Sequence, residues 1–140
     1  MKEFNVKQVI VIRKDLNMRK GKIGSQTAHA SLASVLDQMI KVDHPYDGKT
    51  IQQMRILCLN PDSPMYEWLN GSFAKIVVYV NSEAELTDLM VKGKEQGIQV
   101  TPIIDAGNTE FHGIPTLTCA AFGPEFTEKI NKLTGHLPLI

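Results

Sequence analysis

Residues 75–104 read KIVVYVNSEAELTDLMVKGKEQGIQVTPII, and the order of chemistry in that stretch decides the fold. Lys75 to Val80 is a β-branched run of the kind that suits a strand covered on both faces. Ser82 followed three residues later by Glu85 is a capping box, so a helix opens there, runs to about Gln96 and stops at Gly97. Ile98 to Ile104 is a further strand, in which Pro102 points to an edge position or a bulge. Strand, helix, strand is the unit of a right-handed parallel crossover.

Working outward, Gln8 to Arg13 is another short β-branched strand, and Asp15 to Gly21 is its polar connection to a helix from about Lys22 to Ile40. Downstream, Thr116 to Phe122 is a fourth strand ended by Gly123-Pro124, followed by a short helix from about Pro124 to Thr134. The link from Ile104 to Thr116 has no room for a crossover helix, so the fourth strand runs antiparallel within the sheet. The expected class is α/β: a three-layer α/β/α arrangement around a mixed, mostly parallel four-stranded sheet. Residues 1–140 are expected to form a single domain with an insertion at about 41–67. There Asp43, Pro45, Asp47, Gly48, Pro61, Asp62 and Pro64 mark loops around one apolar stretch, Met54 to Leu59. In open α/β sheets ligands gather outside the carboxyl ends of the strands, which nominates Lys14 to Leu16, the Lys20–His29 segment and Asp105 to Gly107.

At 140 residues, 43% hydrophobic and 21% charged, the chain is long enough for a real core and too apolar for intrinsic disorder. The formal charge of zero hides an uneven distribution, because residues 1–30 alone carry +5, with five of their seven basic groups between Arg13 and Lys22. A local field of that sign steers anionic ligands, although exposed lysines around a loop are also ordinary protein surface. The N-terminus lacks a secretory signal pattern and no apolar run approaches a membrane span, so a cytoplasmic protein without membrane contact is expected. Cys58 and Cys119 lie in apolar contexts and read as reduced core residues.

Lys22, Gln26 and His29 fall within about 60° on one helical ridge. That ridge continues as Ala33, Leu36 and Ile40, so the polar trio either lines a cleft or belongs to a helix start that frays into solvent. Asp105-Ala106-Gly107-Asn108-Thr109 offers a carboxylate at a strand end, in a pattern that is also a common turn. Thr109, Thr116 and Thr118 add hydroxyls nearby. Phosphate-loop glycine spacing, a dinucleotide fingerprint and a serine-hydrolase elbow are absent. Histidines 29, 44, 112 and 136 form no i, i+3 or i+4 pair with one another or with a cysteine, so no metal site is expected. Acid–base and electrostatic chemistry without a covalent nucleophile remains.

The string Ile12-Arg13-Lys14-Asp15-Leu16-Asn17-Met18-Arg19-Lys20-Gly21-Lys22-Ile23-Gly24-Ser25-Gln26-Thr27-Ala28-His29-Ala30 resembles the signature R-x-D-L-x-M-x-x-G-K-x-A-x-Q-x-x-H-A of the archaeal- and eukaryotic-type (type 2) peptidyl-tRNA hydrolases. Asp105 to Thr109 resembles that family's D-A-G-R-T, Thr118 to Pro124 its strand ending in G-P, and Thr134-Gly135-His136-Leu137 its T-G-H-L. The similarity covers residues 8–40 and 67–140. It implies hydrolysis of the ester between a peptide, or an N-blocked amino acid, and the 3′ end of tRNA. It also implies no metal or other cofactor, and a homodimer. By the same resemblance the functional positions are Lys22, Gln26, His29, Asp105, Thr109 and Thr118. Asp105, alone or with His29, would orient or activate water, while Lys22 with Gln26 would stabilise the oxyanion or hold the terminal phosphate. Thr109 and Thr118 would position the ester, and Arg13, Lys14, Arg19 and Lys20 would contact the acceptor-stem backbone.

The chain departs from the pattern at four places. Asn108 stands where the family has Arg, removing a bidentate phosphate donor. Gly24 and Ser25 replace small apolar residues, and the loop to Thr118 is one residue longer, so Thr116 competes with Thr118 for the hydroxyl role. The fourth departure is the long 41–67 segment. Asn108 and that segment favour the rival reading, a non-catalytic member that binds tRNA or a protein partner.

Overall fold

The computed structural model describes residues 4–45, 47–49 and 51–140. Lys2 and Glu3, counted in the basic N-terminal segment, lie outside them. The central strand pair is β1 (Val6–Arg13) and β6 (Thr116–Phe126), flanked by β4 (Lys75–Val80) and β5 (Val100–Asp105) in the order β4-β1-β6-β5. β1 pairs with β4 in parallel, and β6 pairs antiparallel with both β1 and β5. The mixed four-stranded sheet is therefore as expected, but "mostly parallel" needs correction. Three strands do point the same way, yet β6 is inserted between β1 and β5, leaving one parallel pair among three. Pro102 lies in the edge strand β5, and the β5–β6 register shifts between Ile103 and Ile104.

Alternation along β1 explains the three layers. Val9 and Val11 face α3 (Glu83–Glu95) and α4 (Thr127–Thr134), sharing a buried cluster with Leu86, Leu89, Phe122 and Ile130. Ile10 and Ile12 face α1 (Lys20–Leu36), with Met18, Ala30, Cys119 and Ala121. Two buried side-chain bonds fix α1 on its face: Gln8 Nε2 donates to Ser34 Oγ at 2.7 Å, and Gln99 Nε2 donates to the Ser34 carbonyl at 2.7 Å.

Ser82 caps α3 by accepting from Glu85 N–H at 3.1 Å, and the Glu85 carboxylate reaches back to Asn81 N–H at 2.8 Å. Other boundaries differ from expectation. α1 starts two residues earlier and ends four earlier than read, at Leu36. Gly123-Pro124 does not end the fourth strand: β6 continues to Phe126, pairing Glu125 with Lys7 and Phe126 with Val6 across a register shift. Gly123 makes this passage at φ +82, where an added Cβ would lie 2.6 Å from Glu125 N. The last helix accordingly begins at Thr127.

The 41–67 segment forms an antiparallel hairpin, β2 (Ile40–Pro45) with β3 (Ile51–Ile56), then a short helix α2 (Pro64–Leu69). The apolar stretch Met54–Leu59 is thus only partly strand, since β3 covers Ile51–Ile56. Ser63 caps α2 by accepting from Tyr66 N–H, and Pro64 occupies its first turn, where a missing N–H costs nothing. Met65 and Trp68 bury against Val6, and Trp68 Nε1 donates to the Ala74 carbonyl at 2.9 Å. Cys58 is exposed, contrary to the core reading, whereas Cys119 is buried.

Every residue of β2 and β3 is exposed, and none joins the three buried clusters. Replacing residues 41–55 by an Asn-Gly turn should therefore preserve one cooperative thermal transition and cost no more than about 1 kcal/mol. Trp68→Ala, in contrast, should cost about 3–5 kcal/mol. Calorimetry of both variants checks this, and loss of cooperativity in the hairpin variant would contradict it.

Candidate active site

Helix α1 lies across the sheet with Gln26, Ala30 and Ser34 buried. Its inward face centres on Ala30, and this phase decides which polar residues reach the protein body. Gln26 is 1% exposed on that face. Lys22 sits at its margin, but its long side chain folds inward and is 11% exposed. His29 lies about 100° from the centre of the buried face; it is exposed and makes no hydrogen bond or ion pair among the described residues. The ridge expected to continue through Ala33, Leu36 and Ile40 is displaced for the same reason.

At the end of β5, Asp105 Oδ1 accepts from Lys22 Nζ at 2.9 Å and from Gln26 Nε2 at 3.2 Å. Its Oδ2 accepts from Gly107 N–H at 2.8 Å. Gly107 holds φ +83 with the Ile114 backbone 2.4 Å from where a Cβ would stand, so this donor position admits glycine alone without strain. Gln26 Oε1 in turn accepts from the fully buried Thr118 hydroxyl at 2.6 Å. Lys22 Nζ also donates to Thr109 Oγ1 at 2.9 Å and lies 5.5 Å from the Phe111 ring centroid. Lys22, Gln26, Asp105, Thr109 and Thr118 thus form one connected network. Thr116 donates instead to the Ile114 carbonyl, which places Thr118 rather than Thr116 in that network.

The Asp105 carboxyl is held below the ordinary aspartate value of 3.8. The Lys22 hydrogen bond is the main cause, opposed by burial and supplemented by Gly107 N–H, the Lys22 charge and Gln26. The arrangement is an ionised carboxylate locked against a fixed ammonium. Below α1, burial pushes the Cys119 thiol up to about 11, so it is no nucleophile at neutral pH.

The basic residues divide into two groups. Arg13 is buried and committed: Nε and Nη2 grip Asp15 at 3.2 and 2.7 Å, and Nη1 donates to the Leu117 carbonyl at 3.0 Å. Lys14, Arg19 and Lys20 are exposed around the start of α1, whose first turn has no acidic residue and no side-chain cap. Lys14 Nζ lies 4.2 Å from the Tyr79 ring centroid.

Residues 6–140 match the family described as Peptidyl-tRNA hydrolase PTH2. The chain belongs to that family. Among similar curated proteins are the peptidyl-tRNA hydrolases of Methanocaldococcus jannaschii, 40% identical over 135 residues, and Methanothermobacter thermautotrophicus, 38% identical over 138 residues. Each alignment covers 96% of this chain and 100% of the relative. That of Thermococcus onnurineus is 36% identical over 139 residues, covering 98% and 99%. A solved Agrobacterium protein of unknown function shares the fold alone, with TM-score 0.52 at 12% identity over 99% of each chain.

Among the positions marked by the peptidyl-tRNA hydrolase resemblance, five are joined through one hydrogen-bonded network and His29 stands apart. Two contributors escaped the sequence reading, Gly107 N–H and Phe111. The glycine carried a signal, since D-x-G places an N–H two residues after a carboxylate, as in an Asx turn; the aromatic carried none.

Asp105 gains stability from its ionised form, because its native value lies below the unfolded one. That contribution is complete above the ordinary value of 3.8 and is lost as pH falls through it toward the native value. Carbonyl-detected NMR should place the Asp105 midpoint below those of exposed aspartates, and Lys22→Met should move it upward. An unmoved midpoint would contradict the assigned cause.

Proposed function

We propose that this protein hydrolyses the ester joining a peptide, or an N-blocked amino acid, to the 3′ end of tRNA, in the cytoplasm where translation supplies that substrate. The observation that carries the reading is the Lys22–Asp105–Gln26–Thr118 network, within a chain aligned nearly end to end with enzymes of that name. The three curated relatives named above all bear the name of the hydrolase, so the non-catalytic rival has no support beyond Asn108 and the hairpin.

Lys22 supplies a fixed ammonium with one N–H left after Asp105 and Thr109 are served, suited to an oxyanion developing on the ester carbonyl. Asp105 Oδ2 accepts one hydrogen bond and has a lone pair left for a water O–H. Its lowered pKa makes it a weak proton acceptor, so its first task is orientation of water and of Lys22. In the reaction the water oxygen bonds to the carbonyl carbon, the bond to ribose oxygen breaks, and one water proton ends on that ribose oxygen. The released acid ionises with loss of the other.

Thr109, beside Lys22, is placed to position the ester, and Thr118 acts through Gln26. Lys14, Arg19 and Lys20 are the free cations for the acceptor stem, Arg13 being held internally. A homodimer is carried over from the family resemblance; the uncovered apolar side chains Ile40, Val42, Met54 and Ile56 on one face of the hairpin are compatible with it.

Following release of free tRNA from peptidyl-tRNA tests the reading directly. Lys22→Ala and Asp105→Asn should each lower turnover by about 100- to 10,000-fold. Lys14→Ala, Arg19→Ala and Lys20→Ala should instead raise KM with kcat retained, each reducing the slope of log affinity against log salt by about 1. Near-normal turnover in both of the first two variants would refute the assignment.

A further inference from the structure

The chain treats the two outer edges of its four-stranded sheet differently. At β4 the C-terminal segment covers the edge: Leu139 bridges Val78, Tyr79 N–H donates to the Pro138 carbonyl at 3.1 Å, and Ile140 N–H donates to the Val77 carbonyl at 3.3 Å. At β5 no strand pairs on the side away from β6 among the described residues. Antiparallel pairing turns the N–H and C=O groups of every second residue of β5 away from β6, which leaves a row of backbone donors and acceptors open. Pro102 and Ile104 of this strand are exposed, Ile104 at 67%. The open edge ends at Asp105, whose carboxylate accepts from Lys22.

We propose that this edge receives the C-terminal residues of the substrate's peptide as an added β-strand, a reading that rests on the hydrolase assignment. The side chains of that peptide differ from one substrate to the next, while its backbone is the same in all. Main-chain hydrogen bonds to a strand edge recognise the backbone and are indifferent to what it carries. A pocket fitted to one side chain would have no such generality.

The ester fixes the direction. The carbonyl under attack belongs to the last residue of the peptide and must lie beside Lys22 and Asp105. The residues before it then run back from Asp105 toward Val100, so peptide and β5 point the same way, with the evenly spaced bonds of a parallel pair. At about 3.3 Å per residue, the six residues of β5 give room for about four or five residues of peptide. Pro102 sets a limit on the strength of this pairing. A proline in a sheet turns its nitrogen to the open edge and has no N–H to give there. Fewer bonds suit a product that has to leave, and they shorten the template offered to a strand of another copy.

The experiment follows cleavage of N-acetyl-peptidyl-tRNAs whose peptide lengthens from one to five alanines. The value of kcat/KM should rise by about tenfold or more over the series, chiefly through KM, and valine or serine peptides should show the same gain. Within one pentapeptide, single N-methylation should cut kcat/KM by about threefold or more at every second amide and leave the amides between within about twofold, because only alternate residues face β5. A pentapeptide joined by a non-cleavable amide to a CCA trinucleotide ending in 3′-amino-3′-deoxyadenosine gives a readout apart from turnover. Hydrogen exchange should slow at the β5 amides that face away from β6 and stay unchanged in β4. A kcat/KM independent of length, methylation losses without alternation, or β5 exchange unaltered by the analogue would each overturn the peptide edge while the hydrolase reading stands. If the β5 amides are already protected without substrate, and more so at higher protein concentration, a second copy occupies the edge and the proposal is wrong. If none of these tRNAs is cleaved, both readings fall.

Discussion

Gln26 is a fully buried amide, and a buried amide must have partners at both ends or cost several kcal/mol. Here its oxygen takes the Thr118 hydroxyl from β6 and its nitrogen serves Asp105 on β5. One side chain on α1 is thereby tied to two neighbouring strands, and the helix cannot rotate or slide without orphaning it. Ser34, two turns further on, repeats the device through Gln8 on β1 and Gln99 just before β5. Between these two polar anchors the face carries Ala30, small enough to let α1 lie close on the sheet.

That docking turns the Lys22–Asp105 pair from a surface contact into a defined electrostatic object. A salt bridge between exposed side chains contributes little, but here the two are 11% and 15% exposed, and every oxygen of the carboxylate is assigned a donor. The same bonds that hold Asp105 ionised weaken it as a base. Its strength as an anchor and its strength as a proton acceptor are opposed, and the geometry favours the anchor. Lys22 is left with one N–H beyond those given to Asp105 and Thr109, and Thr109 and the Phe111 ring limit where that proton can point.

Sequence alone is sufficient where local chemistry determines local structure. The β-branched runs at Gln8–Arg13 and Lys75–Val80 and the Ser82–Glu85 cap are self-contained signals, and each forms the element it announces. It fails where partners far away in sequence decide. Pro64 looks like a loop marker in the sequence because its helix is worthwhile only once Met65 and Trp68 bury against Val6. Gly123-Pro124 looks like a strand end because nothing local says that Lys7 and Val6 wait on the neighbouring strand. His29 groups with Lys22 in the sequence because spacing fixes relative angles along a helix but not which angle faces the sheet. That phase is set by Ala30 and the two anchors, which the periodicity of polar residues did not reveal.

Charge shows the same limit. The basic cluster from Arg13 to Lys22 reads as one patch in the sequence, yet the fold divides it by function. Arg13 closes on Asp15 and the Leu117 carbonyl, which ties the carboxyl end of β1 to β6 beneath the site. Lys22 is turned inward to Asp105. What is left facing outward is Lys14, Arg19 and Lys20, bracketing a helix start that has neither a cap nor an acidic residue to compete with an incoming anion. Asn108 is exposed in the loop after β5, at the position where the resemblance leads one to expect an arginine. Lys14, Arg19 and Lys20 therefore all lie between the end of β1 and the first residue of α1.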